Sequence, residues 1–397
     1  MVAGARAVKG AHPSWIGLLI LWIVGIDVRI TLLALPPVLQ LIHRDLGLTE
    51  TATAVLTGLP VVLLAAAAVP GSFLTARVGA RRTMIIGILL LAVASGLRGA
   101  GTSIAILFGM TLMMGVGMAI TQPAIPSLIS EWFPGRAGLA TAFYVNGILV
   151  GETLAPALTL PFVVPLAAGR WGVSLALWGA AVLATALVLA WLTPRLPDAS
   201  GSVGLGWSPD WKRAETWRLG FLLGGSSSAY FGANAFIPDF LHAIGRSHLI
   251  GVCLTVVNGA QLPASLAAGL IASRGIVRRE PFFAVAALAL AGLGVFLLPQ
   301  DPAPILGAGL LGVSFGFLLV FCLSLPPTLS PRGDVHRLSA GMLAIGYAYA
   351  FAAPLLGGAI WDLSHVPATS FLGVALGAVT VLLAATSLGG KEKRGRR

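Results

Sequence analysis

The sequence predicts an all-α membrane protein with two pseudo-symmetric bundles of six transmembrane helices. Three observations favour this fold class: the composition, the spacing of long apolar segments, and a motif that occurs once in each half. Of the 397 residues, 57% are hydrophobic and 10% are charged, whereas about a quarter are charged in soluble domains. The 50 glycines and 25 prolines suit helices that pack closely or bend inside a bilayer.

About twelve segments are long and apolar enough to cross a membrane, which takes roughly 20 residues as a helix. The first follows Arg6 and Lys9. It is too long for a signal peptide and lacks a small-residue cleavage site, so we assign it as a span. The predicted spans are 14–40, 51–75, 83–98, 104–130, 137–162, 172–193, 216–243, 249–273, 281–299, 303–328, 338–361 and 367–389.

One long polar stretch, TPRLPDASGSVGLGWSPDWKRAET, separates the sixth span from the seventh. It combines Pro, Gly, Ser and charged residues, as linkers do. We therefore predict an N-terminal six-helix bundle over 1–193, a cytoplasmic linker over 194–215, a C-terminal six-helix bundle over 216–390 and a basic cytoplasmic tail over 391–397.

The basic residues predict the orientation. If the N-terminus is cytoplasmic and the spans alternate, twenty of the 25 Lys and Arg residues fall on the cytoplasmic side. Arg44, Arg98, Arg170 and Arg246 fall on the other side, and Arg29 falls inside a span. This asymmetry follows the positive-inside rule and predicts that both termini are cytoplasmic. The net charge of +11 thus follows membrane topology, and we expect no nucleic-acid partner.

The two halves repeat a motif. GSFLTARVGARR at 71–82 links spans two and three, and GLIASRGIVRR at 269–279 links spans eight and nine. The exit of span four also resembles the exit of span ten. Two equivalent halves are what an alternating-access transporter needs, because one site near the midplane then lies between them.

Further motifs are Arg29 with the following LPPVLQLI, LTGLPVV at 56–62, GVGMAITQPAIPSLI at 115–129, Phe133 with Arg136, Tyr230 with Pro238, and Gln261. With its twelve spans, central linker and basic links, the chain resembles the major facilitator superfamily over its whole length. Within the superfamily it is similar to the cyanate permease group, which includes a nitroimidazole exporter. The resemblance implies a cytoplasmic gate at Gly71, Arg77, Gly79, Arg81, Arg82, Arg274, Arg278 and Arg279.

The sequence departs from these patterns at three positions. Thr75 lies near the place where the superfamily usually has an acidic residue, so the usual acid-to-base latch lacks its acid. Asp27 stands where we expect Asn in the cyanate permease group, and Glu152 stands where we expect small residues.

Asp27 and Arg29 lie near the middle of the first span. Arg29 is about 3 Å from the centre of 14–40 at 1.5 Å rise per residue, where a charge costs roughly 2.5–3.5 kcal/mol on insertion scales. Residues two apart point to nearly opposite sides of a helix, so the two charges need separate partners. For Arg29 we expect anion binding in a central cavity, the alternative being a structural ion pair. Asp27 is either a proton-coupling group or a packing partner of a polar group on another helix.

Glu152 is the second charge predicted near mid-membrane, in span five. We hypothesise that it balances Arg29 when the site is empty, and that an anion or a proton releases the pair. Such a release would couple the substrate to protons. The alternative is a fixed salt bridge with no role in transport.

Other polar residues in the spans are candidate substrate contacts. Each is equally well explained as a hydrogen bond that packs helices together. Tyr230 and Asn234 are four residues apart and share a helix face. The candidates are Tyr230, Asn234, Gln261, Gln122, Asn146 and Tyr347.

Several chemistries find no support. The chain has no phosphate-binding loop, no nucleophile elbow and no histidines with metal-ligand spacing. We therefore expect no enzyme activity, metal or cofactor. We predict a monomeric secondary transporter of the bacterial inner membrane, which moves a small anion or a small polar organic solute and uses protons for coupling. The alternatives are an exporter of neutral or weakly charged heterocycles with Arg29 structural, and a non-transporting membrane receptor or enzyme.

Overall fold

The computed structural model describes residues 15–48, 50–101, 103–193, 206–273 and 278–388. Arg274, the first part of the predicted linker (194–205) and the predicted tail lie outside these ranges. The described residues form sixteen α-helices and no strand. In the first half these are α1 Trp15–Leu33, α2 Leu39–Leu46, α3 Glu50–Ala66, α4 Ala68–Val78, α5 Ala80–Leu97, α6 Ile104–Trp132, α7 Ala137–Leu158, α8 Val164–Leu166 and α9 Trp171–Leu192. In the second half they are α10 Ala214–Ala243, α11 Ile250–Gly259, α12 Gln261–Ala272, α13 Arg279–Phe296, α14 Pro302–Leu329, α15 Val335–Ser364 and α16 Leu372–Ala385.

These helices account for the twelve predicted spans. Within the described residues, ten helical segments are long and apolar enough to cross a membrane, and the bent pair α3–α4 supplies an eleventh. The remaining span is α10, which is less apolar because it contains Glu215, Arg218 and a run of serines. Its 30 residues make a helix of about 45 Å, longer than the hydrocarbon core of a bilayer, which is about 30 Å thick.

The spans have their ends at two faces of the molecule. We call one face the linker side, because it holds the first residues of α10 and the linker segment 206–213. The α4–α5 turn at Gly79 and the α6–α7 turn also lie there. Gly79 has a φ of +86°, which L side chains rarely adopt, and this allows α4 to reverse into α5 within one residue.

Helix breaks recur at matching places in the two halves. The second span of the first half bends by 51° between α3 and α4. The second span of the second half is interrupted between α11 and α12, at Gly259 and Ala260. Pro123 and Pro126 lie inside α6, and Pro326 and Pro327 lie inside α14. Proline lacks the N–H of a helical hydrogen bond, so each pair weakens the later part of its span.

Glycines join α1 to α7 with no side chain between them. A Cβ on Gly151 would lie 2.6 Å from the carbonyl oxygen of Ile26, and a Cβ on Gly147 would overlap the carbonyl oxygen of Trp22. Gly25 makes the reciprocal approach to Tyr144. Gly147 and Gly151 have the spacing of small residues that lets membrane helices touch. This glycine seam brings Arg29 of α1 beside Glu152 of α7.

On the linker side the two halves contact each other along α7 and α12. A Cβ on Gly138 would lie 2.6 Å from Ala272, and a Cβ on Gly269 would overlap the side chain of Ala142. Gly138 begins α7 and Ala272 ends α12, so the antiparallel contact starts at the linker side and continues inward. The halves are therefore closed together on this side.

Candidate functional site: a polar cavity between the halves

The end of α1 positions the first site residue. The predicted span 14–40 lies in the helical segment Trp15–Leu46. Within it α1 stops at Leu33, because Pro36 and Pro37 cannot donate to the preceding turn. Arg98, fully buried, donates from Nη2 to the Thr31 carbonyl oxygen over 2.6 Å. A cation that caps the C-terminal carbonyls of a helix is stabilising. The last turn of α1, which directly follows Arg29, is thus anchored to α5.

A small cavity lies between the two halves. Its free space is about 20 Å³ for the centre of a water-sized sphere, which is room for about one water molecule. Both halves contribute to its lining, and the lining contains one cation and one carboxylate. The residues are Arg29, Leu149 and Glu152 from the first half, and Ser226, Ser227, Tyr230, Phe231, Gln261, Phe315, Leu319 and Tyr347 from the second.

Arg29, Glu152 and Tyr230 form the charged centre of the cavity. Arg29 Nε lies 3.3 Å from Glu152 Oε1, and both side chains are nine-tenths or more buried. The Tyr230 hydroxyl donates to Glu152 Oε2 over 3.1 Å. The ion pair joins two helices of the first half, and the hydrogen bond crosses to the second. Arg29 Nε nevertheless has no hydrogen-bond partner among the described residues.

Tyr347 and Gln122 extend this centre on one side. Tyr347 lines the cavity together with Arg29 and Glu152. Gln122 is buried beneath the lining rather than part of it, and its Nε2 has no partner in the described part of the chain. Of these two predicted substrate contacts, only Tyr347 reaches the cavity.

A ladder of amide side chains connects Gln261 to Asn234. Gln261 Nε2 donates to Asn258 Oδ1 over 3.3 Å, and Asn258 Nδ2 donates to Asn234 Oδ1 over 2.8 Å. Asn234 also donates to the Tyr230 carbonyl oxygen. The ladder joins α10 to α11 and α12 beside the break at Gly259. Gln261 lines the cavity. Asn234 is not part of the lining and contacts it only through Asn258 and the backbone of Tyr230.

Asn146 lies between the cavity and the linker-side contact of α7 with α12. Its Nδ2 donates to the Leu262 carbonyl oxygen and to Ser265 Oγ, each over 3.1 Å, and its Oδ1 accepts from Trp22 Nε1 over 3.0 Å. We predicted a substrate contact, but Asn146 is not part of the lining. It connects α1, α7 and α12, which belong to different halves.

Asp27 points away from the cavity. Its Oδ2 accepts a 2.6 Å hydrogen bond from Thr185 Oγ1 of α9, and the carboxyl is buried. This is the separate partner that two residues at i and i+2 require. Asp27 is therefore not brought together with Arg29 and Glu152.

Ser226 and Ser227 are lining residues that the sequence analysis missed. Both belong to the run GGSSSAYFG in α10 and are buried. Three consecutive serines inside a membrane span indicate a polar site, but the sequence does not show which of them face the cavity.

The gate candidates that the structure describes lie on the linker side, and two of them, Arg81 and Gly71, join helices of the first half. Arg81 donates to the carbonyl oxygens of Ala190 and Thr193 at the end of α9. Gly71 lets α4 approach α6, where a Cβ would lie 2.9 Å from Ile120. The remaining gate candidates are Arg77, described below, Gly79 in the turn, Arg82 exposed on α5, Arg278 before α13, Arg279 beside Glu280, and Arg274 outside the described residues.

The linker segment 206–213 contacts both halves on the linker side. Ser72 donates to the carbonyl oxygen of Trp207 over 2.7 Å, and the Trp207 and Phe73 rings meet edge to face at 5.3 Å. The guanidinium of Arg77 lies over the Phe73 ring, 4.4 Å from its centroid. The linker is thereby attached to α4 of the first half.

The same segment is also attached to the second half. Arg337 of α15 donates to the carbonyl oxygen of Ser208 over 2.8 Å and to Asp334. Arg213 pairs with Asp334 at 3.0 Å. We call residues 207–213 with these partners the linker clasp. It holds α4 and α15 together on the linker side, where Thr75 leaves no acid.

Comparisons with known proteins agree with this architecture. The family model described as Major Facilitator Superfamily matches residues 17–335. The Cyanate transport protein CynX of Escherichia coli K12 is 29% identical over 356 residues, covering 87% of this chain and 90% of that protein. The 2-nitroimidazole transporter of the same strain is 26% identical over 385 residues, covering 93% and 94%. The solved structure of the transporter FucP in the outward conformation has a TM-score of 0.77 at 14% identity, covering 95% of this chain and 98% of that one.

Two six-helix bundles with a shared polar cavity define a multi-pass membrane transporter. The chain belongs to the Major Facilitator Superfamily, so the predicted fold and family are confirmed. It is a transporter and not an enzyme, which removes the alternative of a membrane enzyme or a non-transporting receptor.

Proposed function

We propose that this transporter moves a small monoanion, together with a proton, across the bacterial inner membrane. Arg29 binds the anion and Glu152 carries the proton. The observation that carries the proposal is the buried Arg29–Glu152 pair in a cavity lined by both halves. A substrate bound there contacts both bodies, as alternating access requires.

Arg29 has the chemistry that an anion site needs. The planar guanidinium suits carboxylates and similar planar anions. Its buried Nε lies 3.3 Å from Glu152 Oε1 without an aligned hydrogen bond among the described residues, so this donor can turn to an anion once Glu152 is neutral. Tyr230, Tyr347 and Gln261 supply further polar contacts from the second half.

Charge balance supports coupling to protons. When Glu152 is ionised the two lining charges cancel, so a bound monoanion would add an uncompensated charge at low dielectric. A proton on Glu152 removes the carboxylate charge and leaves Arg29 free to hold the anion. Anion and proton therefore enter together. Asp27, held by Thr185, is a second candidate proton carrier outside the cavity.

The size of the cavity and the relatives favour a compact substrate. Free space for about one water molecule must expand even for a few heavy atoms. A relative over most of the chain is named a cyanate transport protein. Cyanate is a small, linear monoanion that matches this site in charge and size.

The basic residues support an orientation with both termini and the linker side in the cytoplasm. In that orientation the linker clasp and the α7–α12 contact close the cytoplasmic gate. The predicted gate residues Gly71, Arg77 and Arg81 support that closure within the first half.

A second candidate substrate class is a neutral or weakly charged heterocycle. It is favoured by the relative named a 2-nitroimidazole transporter and by the apolar walls that Phe231, Phe315 and Leu319 form. In that case the Arg29–Glu152 pair is structural.

A panel of ligands on detergent-purified protein separates the two candidates. The panel contains cyanate, nitrate, short carboxylates and nitro-heterocycles, and the readout is the melting temperature, because a ligand of the folded state stabilises it by mass action. We expect an anion to stabilise the wild type and to have no effect on Arg29→Ala. Because Arg29→Ala leaves the buried Glu152 carboxylate without its cation, the double variant Arg29→Ala/Glu152→Gln provides a control that lacks both charges. Stabilisation by neutral heterocycles alone, equal in all three proteins, would overturn the anion proposal.

A further inference from the structure

We propose that Ser226 and Ser227 of α10 are substrate ligands, which bind the end of the anion that Arg29 does not hold. The inference rests on the proposed anion site. It adds the residues that select the substrate class: a compact monoanion with acceptor atoms at both ends.

The rotation of α10 places these two serines in the cavity and the next one outside it. Gly224 lies against Tyr349 of α15, and Gly225 lies against Gly377 of α16. At 3.6 residues per turn, Ser226 and Ser227 then share a face with Tyr230, which lines the cavity.

Ser228 falls on the opposite face. It packs against Gly377, where a Cβ would lie 2.6 Å from the Ser228 hydroxyl. Three chemically identical neighbours are thus divided into two cavity residues and one packing residue, a difference that an experiment can use.

The hydrogen bonds show the same division. Ser228 Oγ donates to the Gly225 carbonyl oxygen over 3.1 Å, which is the usual way that a helical serine satisfies its hydroxyl. Within the described ranges, Ser226 and Ser227 show no such hydrogen bond, and both line the cavity. Their hydroxyls are not among the buried polar atoms that lack a partner, because they are open to the cavity. A ligand in the cavity can therefore accept a hydrogen bond from them.

Neutral donors at this position fit the charge balance of the site. Arg29 holds one end of the anion, and a second cation at the other end would bind the anion even with Glu152 ionised. Hydroxyl groups add hydrogen bonds without adding charge, so the requirement for the proton is kept. The anion must then present acceptors to both walls, as linear or planar ions such as cyanate and nitrate do.

The same donors discriminate against aliphatic carboxylates. Acetate can pair with Arg29, but its methyl group would face Ser226 and Ser227 and leave both hydroxyls unpaired. A site built to hydrogen-bond one ligand rejects an analogue that lacks the acceptor much more strongly than it rejects a change of size. The two serines therefore set selectivity as well as affinity.

The test compares Ser226→Ala, Ser227→Ala and the double variant with the matched control Ser228→Ala, with cyanate, nitrate and acetate as probes. We expect the double variant to bind cyanate or nitrate at least tenfold more weakly, to bind acetate as the wild type does, and to keep its ligand-free melting temperature. Ser228→Ala should bind all three ions as the wild type does. Ser226→Cys and Ser227→Cys, which keep the volume and weaken the donor, serve if an alanine variant fails to fold.

The outcomes separate this inference from the proposed function. Arg29-dependent binding of cyanate or nitrate that is unchanged in the double serine variant overturns the role of the serines and leaves the anion site in place. Equal weakening by Ser228→Ala also overturns it, because the effect is then one of helix packing. If no anion binds the wild type in an Arg29-dependent way, both proposals fall.

Discussion

Glu152→Gln removes the charge partner of a buried guanidinium and keeps the shape of the side chain. At the observed separation of 3.3 Å between Arg29 Nε and Glu152 Oε1, the Coulomb attraction is about 5 kcal/mol for an effective dielectric constant of about 20. Deleting one partner of a buried pair typically costs about 3–5 kcal/mol. We expect the ligand-free variant to lose about 3 kcal/mol of unfolding free energy, since the amide oxygen can still accept from Tyr230.

The same variant should bind an anion more tightly and lose its dependence on pH. In the wild type, one proton accompanies each anion, so a rise in pH that ionises Glu152 weakens binding about tenfold per pH unit. In Glu152→Gln the site is positive at every pH, and the anion replaces the missing charge. The expected slope of log Kd against pH is therefore one in the wild type and zero in the variant.

Titration calorimetry of cyanate or nitrate at several pH values measures the slope, and chemical denaturation measures the stability. Asp301→Asn is the matched control, because its carboxylate pairs with Arg246 at 3.6 Å on the surface and should contribute no more than about 1 kcal/mol. A Glu152→Gln protein as stable as the wild type, with an unchanged pH slope, would refute the proposed role of the pair.

Three further predictions concern the helix contacts around the site. Gly147→Ala should lose about 1–3 kcal/mol of stability, because its Cβ would overlap the Trp22 carbonyl oxygen. Gly109→Ala in α6, where a Cβ meets nothing within 4 Å, should be neutral or slightly stabilising in the same denaturation assay. Asn146→Ala removes two hydrogen bonds between the halves, worth about 1–2 kcal/mol together. It should shift the linker side toward an open state by roughly tenfold, seen as a longer distance between spin labels at Arg136 and Ser273. Trp207→Ala, which removes the ring contact with Phe73, should lengthen the same distance.

Each of the last two changes has a control variant. Thr153→Ala on α7 deletes a hydrogen bond to Leu149 within one helix, so the label distance should stay at the wild-type value. Trp191→Ala at the exposed end of α9 removes a tryptophan that has no part in the linker clasp. Equal responses of these controls would show that the labels report general loosening rather than opening between the halves.

The membrane spans could be predicted from the sequence because crossing lipid demands a long apolar run, and every predicted span corresponds to one helix or to two consecutive helices. The interruptions could be anticipated only in part. Pro36 and Pro37 end α1 well before residue 40, and the break after Gly259 divides the eighth span. Proline and glycine permit such breaks, but the packing around them decides where the helix ends.

The rotation of each helix about its axis could not be predicted. In a membrane protein the lipid-facing and buried sides are equally apolar, so hydrophobic periodicity gives little guidance. Asp27 turned out to face Thr185, Asn146 to face Ser265, and two serines of a run of three to face the cavity. The partnership of Arg29 with Glu152 was easier to foresee, because few charges lie at that depth and each needs an opposite charge.

The glycine seam has a kinematic consequence. Since no side chain separates α1 from α7, the two helices cannot slide past each other without strain, so Arg29 and Glu152 travel as parts of one rigid body. Tyr230 travels with the other body. If the halves rock during transport, Arg29 and Glu152 stay neighbours through the cycle, with or without a proton on Glu152, whereas the Tyr230–Glu152 hydrogen bond breaks and forms again in every cycle. Glu152 thus has a constant cationic neighbour in its own half and an intermittent hydrogen-bond donor in the other, and only the donor changes with the arrangement of the two halves.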